Sequence, residues 1–234
     1  MRGTQWEFKN RALIFGLIFG ASFSLYAVDR QNAAAALANG LGARLAMNAD
    51  LSARLLFSLA ALLLVFGALI RTWASAYLHA AVVYAAEVKT EALVADGPYR
   101  HVRNPLYFGN VLLALGMGAL MSRVGFFLVV IAMTVFGYRL IFREEADLEN
   151  SQGERYRRYR QAVPRLWPSL SPRTPSAGRN PDWAGGFQAE FWCWGFALSV
   201  AVFAITLSVV AFYAILGISL AVFWLSSSLL RKRG

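Results

Sequence analysis

The sequence predicts an all-α integral membrane protein with about six transmembrane helices. Three observations predict it. Of 234 residues, 58% are hydrophobic and 15% charged, against roughly half and a quarter in an average globular domain. The apolar residues fall in runs long enough to span, which takes roughly 20 residues across about 30 Å of hydrocarbon. The net charge of +10 lies between these runs and not on a polar surface, which speaks against nucleic acid as a partner. One cysteine, Cys193, excludes a disulfide within the chain, and two histidines, His79 and His101, leave little basis for a metal centre.

Residues 12–28 form the first predicted span, preceded by Arg2, Lys9 and Arg11. A signal peptide also fits this run, but no small-x-small cleavage site follows at once and the run is long for a signal core. Residues 32–49 read as an Ala-rich outer loop with a short helix. Residues 51–70 are the second span, closed by Arg71. Residues 72–86 are apolar but short, and read as an interfacial or re-entrant segment. Residues 106–121 and 124–142 are the third and fourth spans. Only Ser122 and Arg123 separate them, so they form a tight antiparallel hairpin.

Gly153 is expected to end an extended fourth helix. A short amphipathic helix follows, with Tyr156, Tyr159 and Val163 on one face and Arg155, Arg157 and Arg158 toward anionic headgroups. It is either a helix docked on the membrane surface or a lid over a ligand. Residues 164–181 hold five of the seven prolines and read as an irregular strap. Residues 191–230 contain no charged side chain, and at 1.5 Å per residue one straight helix would be about 60 Å long. Two helices joined near 209–213 fit better, with Gly217 as a weaker turning point.

With the N-terminus in the cytoplasm and six spans, 19 of the 23 Lys and Arg side chains fall on the cytoplasmic face. This bias sets the orientation and places both termini in the cytoplasm, as in a bacterial-type inner membrane protein. The domain division is 1–168 as a core with its motifs in 71–168, 169–190 as a cytoplasmic linker, and 191–234 as a C-terminal hairpin. That hairpin, rich in Trp and Phe, is either a membrane anchor or a homodimer surface.

Polar residues concentrate at one membrane face in two places. The first runs from Asp96 to Asn110. Asp96-Gly97-Pro98 makes a turn, Asn104 is a natural N-cap, and Pro105 suits the first helical turn. The third span therefore opens here with free N–H groups beside Arg100, His101 and Arg103, a setting for a carboxylate or a lipid phosphate. Gly116 and Gly118 further along either pack helices closely or clear space for a flat ligand. The second place is Arg139, Arg143, Glu144 and Glu145 at the close of the fourth span. The hairpin returns it beside the first place. Glu144 and Glu145 point about 100° apart, so at most one faces a given ligand directly.

At these residues the chain resembles a known family. Gly97-Pro98-Tyr99, Arg103-Asn104-Pro105-Leu106-Tyr107-Phe108-Gly109, a hydrophobic hairpin, Glu144-Glu145, then Gly153, Tyr156, Tyr159 and Val163-Pro164 resemble the isoprenylcysteine carboxyl methyltransferase and phospholipid methyltransferase group of membrane enzymes. The resemblance covers roughly residues 71–168. It implies S-adenosylmethionine as cofactor and S-adenosylhomocysteine as product, at the cytoplasmic membrane face. By position, His101, Arg103, Asn104, Pro105, Tyr107 and Gly109 would bind the cofactor's amino-acid end. Glu144 or Glu145 would receive its ammonium group, Gly116 and Gly118 would pack near it, and Tyr156 and Tyr159 would close over it. The family more often has His where this chain has Asn104. Arg139 and Arg143 lie near the position of a substrate-directing arginine, and with Glu144 form the candidate catalytic set.

The implied acceptor is lipophilic and enters from the bilayer: a prenylated cysteine carboxylate, or a related isoprenoid or lipid group. Anionic lipids are the expected surroundings. Two other classes share features of the chain. NADPH-dependent membrane sterol reductases carry a similar Arg-His-Pro-x-Tyr-x-Gly stretch but are generally longer. A non-enzymatic lipid-binding membrane protein would show no cofactor affinity.

Overall fold

The computed structural model describes residues 2–78 and 95–231. Ten α-helices follow one another over these residues: α1 Gln5–Lys9, α2 Arg11–Ser24, α3 Ala33–Leu45, α4 Ala49–Leu78, α5 Pro105–Gly118, α6 Arg123–Gln152, α7 Glu154–Ala162, α8 Trp183–Ala189, α9 Phe191–Thr206 and α10 Val209–Arg231. The all-helical class is as expected. Among the described residues, α4 and α6 are long and apolar enough to cross a membrane, and α8 with α9, bent by 63°, makes a third such element if taken as one span. The apolar helices α2, α5 and α10 are shorter.

Helix α4 is the centre of the bundle. Phe57, Ala60, Ala61, Leu64, Ala68, Arg71 and Ser75 are buried along one stripe, at the three- and four-residue spacing of a helix face. Small residues there let neighbours come close. A Cβ on Gly109 of α5 would lie 3.2 Å from the Gly67 carbonyl of α4, and one on Gly116 would lie 2.8 Å from the Ala60 carbonyl. Helix α9 adds Cys193, Ala197 and Val200 to the same core, with Leu113 and Met117 of α5. The opposite face of α4 exposes Leu51, Leu55, Leu59, Leu62, Phe66 and Leu69, a lipid-compatible surface.

Several expectations shift. Helix α4 does not stop at Ile70. It continues to Leu78 because Arg71 is buried and ion-paired with Glu190, so its charge does not end the helix. The expected interfacial segment 72–86 is helical up to 78; the rest, with His79, lies outside the described residues. The break in the C-terminal run falls at Leu207, which adopts the left-handed conformation, and not at 209–213 or Gly217. Local caps explain it. The Leu207 N–H reaches the Phe203 carbonyl, and the Ser208 hydroxyl accepts from the Ala211 N–H, whereas 209–213 has no capping side chain to offer.

The hairpin is as expected. Ser122 caps α6 by accepting from the Gly125 N–H. Asn32 donates to the Ala119 and Met121 carbonyls, so the loop before α3 closes over the hairpin turn. At the opposite end, Gly3 donates to the Arg139 carbonyl, which brings the N-terminal segment beside the far end of α6. Gly153, with positive φ, ends α6. At 1.5 Å per residue this 30-residue helix is about 45 Å long, longer than the hydrocarbon layer, so its last turns project beyond it.

Candidate functional site

The projecting end of α6 meets three other pieces of chain. The first is the turn before α5. Gly97 has φ +57° and the Tyr77 ring lies where a side chain would point, so only glycine fits there without strain. The strap 164–181 runs antiparallel along this turn. Arg103 N–H donates to the Pro164 carbonyl, Ser169 N–H to His101, and Arg173 N–H to Arg100. The Arg100 guanidinium donates to the Thr174 carbonyl, and His101 Nδ1 sits 2.9 Å from the Ser169 carbonyl. Buried Asp96 accepts from the Ser176 hydroxyl and the Ala177 and Arg179 N–H groups.

Burial alone would raise the Asp96 pKa, but those hydrogen bonds and Arg100 outweigh it and hold the carboxyl below its ordinary 3.8. A group depressed in the folded state stabilises fully above its unfolded pKa and loses that stabilisation as pH falls through the folded value. The strap should therefore stay protected from proteolysis at neutral pH and loosen below about pH 4. Asp96→Asn should make it protease-sensitive at pH 7 and flatten the acid dependence. An unchanged digestion pattern would show that the strap is held elsewhere.

The second piece is the start of α5. Asn104 occupies the N-cap position, but its side chain makes no cap hydrogen bond. This corrects the expectation from the sequence. The carboxamide instead donates to Glu145 Oε1 at 3.2 Å and to the Arg165 carbonyl at 3.0 Å, since a buried carboxylate is the stronger acceptor. Glu145 is 5% exposed. It also accepts from Arg165 at 3.0–3.2 Å and lies 3.5 Å from Arg103 Nη1. Two guanidinium groups thus surround one carboxylate. The Arg103 side chain is 8% exposed, yet its Nε and Nη1 have no hydrogen-bond partner among the described residues. A buried donor in that condition is costly unless an anion completes it. Glu144, one residue earlier, accepts from the Tyr107 hydroxyl. The two glutamates therefore face different partners, as their spacing predicts.

The third piece is α7. Tyr156, Tyr159 and Val163 form one buried cluster, and the Tyr159 hydroxyl donates to the Tyr99 carbonyl. Burial, then the Glu145 charge at Tyr156 and the Tyr156 ring at Tyr159, raises both phenol pKa values, so both stay protonated donors at neutral pH. Arg157 and Arg160 bind Glu149 of α6, and Arg157 and Arg158 pair with Glu154. Of the arginines expected to meet lipid headgroups, Arg157 and Arg158 are thus tied to glutamates of the chain; Arg155 stays exposed. A pocket of about 220 Å³ opens beside this cluster, lined by Arg2, Glu145, Arg160 and Arg165 among others.

Residues 55–155 match the family model of phospholipid methyltransferase. This segment resembles the phospholipid methyltransferase family. No curated protein and no solved structure matches the chain. Arg103, Asn104 and Glu145 of the matched segment come together with Tyr156 just beyond it, and Tyr107 and Glu144 pair beside them.

Other residues implied by the resemblance are used differently. Gly116 faces Leu64 and Ala60 of α4, and Gly118 faces Phe126 of α6. They pack helices. About 16 Å of helix separates Gly116 from Pro105, which places both glycines away from Arg103 and Glu145. Gly109 gives passage to the Arg71 side chain, and His101 is held against the strap. Arg139 does not stand open to a substrate. Its guanidinium makes two-pronged contact with Glu7 at 2.9–3.1 Å. Arg143 reaches the Gly3 carbonyl at 3.4 Å and Asp147 at 3.7 Å. Arg165 was not among the expected site residues, although it directly follows the Val163-Pro164 motif.

Proposed function

We propose that this protein transfers a methyl group from S-adenosylmethionine to a lipophilic acceptor at the cytoplasmic face of the membrane. In this reading the chain passes the bilayer six times with both termini in the cytoplasm. The observation that carries it is Arg103: a buried guanidinium whose Nε and Nη1 make no hydrogen bond, ion-paired at 3.5 Å with Glu145, the residue after Glu144, inside the family-matched segment. An amino acid zwitterion has the complementary charges. The pocket of about 220 Å³ adjoins this cluster through Glu145, with Arg2, Arg160 and Arg165 on its other sides.

Arg103 would hold the carboxylate of the cofactor. Glu144, whose hydrogen-bond partner is one phenol, keeps acceptor capacity for the ammonium group. Glu145 is saturated by Asn104 and two arginines and orients Arg103 and Arg165. Tyr156 and Tyr159 keep water from the inner side of this cluster. When bound, the cofactor supplies a methyl group on a positively charged sulfur. Displacement at that carbon depends mainly on positioning and electrostatics, which a fixed cluster provides.

For the acceptor, the engaged Arg139 and Arg143 weigh against a carboxylate held at that place. With the family match, this supports a phospholipid amine over a prenylated cysteine. The detergent-solubilised protein should bind S-adenosylmethionine and S-adenosylhomocysteine, and not NADPH, in separate calorimetric titrations. Methyl-labelled cofactor with total membrane lipid should then yield a labelled phospholipid. Binding of NADPH alone would overturn the reading in favour of a reductase, and binding of none in favour of a non-enzymatic protein. A labelled prenyl ester would refute the amine acceptor.

A further inference from the structure

Glu190 is the last acidic residue of the chain and stands directly before 40 residues without charge. It is outside the family-matched segment and fully buried. It sits at the 63° bend between α8 and α9, where the N-terminus of α9 favours a carboxylate. Glu190 Oε2 accepts from Arg71 Nε at 2.7 Å, and Oε1 accepts from the Ser75 hydroxyl at 2.7 Å. Arg71 in turn donates from Nη1 to Asn110 Oδ1 at 2.6 Å and to the Leu106 carbonyl at 3.4 Å. Both acceptors lie in the first two turns of α5. The contact is possible because Gly109 has no side chain; a Cβ there would collide with Arg71 Cγ.

A buried ion pair is a poor way to gain stability, because desolvation offsets most of the attraction. It is an effective way to set a helix in one orientation. We infer that Glu190 is a positioning residue of the proposed methyl-transfer site: through Arg71 it fixes the first turns of α5, which present Arg103, Asn104 and Tyr107 to Glu144 and Glu145. The C-terminal segment is then part of the working core and not only an anchor. The inference rests on the methyl-transfer reading for its functional consequence, while the fixing of α5 is separately measurable.

The test compares wild type, Glu190→Gln, Glu190→Asp and the double variant Arg71→Met/Glu190→Leu in detergent. Three readouts are taken: thermal unfolding, cofactor KM and kcat, and amide hydrogen exchange over residues 104–110. Glu190→Gln should speed exchange at 104–110 and raise the cofactor KM about 10-fold or more, and Glu190→Asp should restore part of both. The double variant removes the unpaired charge, so it should melt near wild type. Its cofactor KM should stay raised, and its kcat should stay down roughly 100-fold, because a misplacement of about 1 Å has that effect on a rate. A double variant with wild-type KM, kcat and exchange would overturn the proposal and leave the pair a structural one. So would Glu190→Gln with both unchanged. If wild type binds no cofactor, the methyl-transfer reading falls, and exchange at 104–110 still decides whether Glu190 positions α5.

Discussion

Glu145→Gln should both destabilise the protein and abolish cofactor binding. The substitution leaves Arg103 and Arg165 beside each other without their shared counter-charge. Breaking one partner out of a buried ionic group costs about 3–5 kcal/mol. Glu144→Gln should behave differently. Its amide oxygen can still accept from the Tyr107 hydroxyl, so stability should change by about 1 kcal/mol or less, while cofactor affinity falls. Thermal unfolding in detergent, paired with calorimetry, separates the two. Equal and mild effects of both variants would mean that neither carboxylate is part of a cofactor site.

Arg103→Lys should leave the fold intact and remove most cofactor affinity. Lysine keeps a positive charge near Glu145 but lacks the planar fork and the Nε donor. Losing one partner of a desolvated charged hydrogen bond costs roughly 2–5 kcal/mol, which is about 30-fold to several thousand-fold in affinity. The melting temperature should move little. Wild-type affinity in Arg103→Lys would assign the carboxylate to another cation, with Arg165 and Arg2 of the adjoining pocket the next to test.

Most local signals in the sequence agree with the structure, the Asn104 cap being an exception. Pro105 opens α5, Gly153 closes α6, and Ser122-Arg123 turns the hairpin, because each depends on backbone preferences of neighbouring residues. The single face of Tyr156, Tyr159 and Val163 follows from helical spacing. What the sequence does not disclose is the choice of ionic partner. Arg139 has a glutamate 132 residues away, Arg71 one 119 residues away, and Asn104 a carbonyl 61 residues away. Nothing in the composition of either end selects these pairs; packing does. The same holds for Gly109 and Gly116. Their spacing allows a ligand or a helix neighbour, and only the approach of α4 decides.

The separation between Arg71 and Glu190 has a consequence for biogenesis. The ribosome makes Arg71 long before its partner, and a lone guanidinium inside hydrocarbon is unfavourable. Until α9 arrives, that side chain has to reach toward headgroup water or the translocon, and the groove on α4 that receives α9 stays open. A nascent chain that ends after the family-matched segment would therefore carry that segment without a settled α5. Entry of α9 should therefore be the step that commits α4 and α5 to their final places.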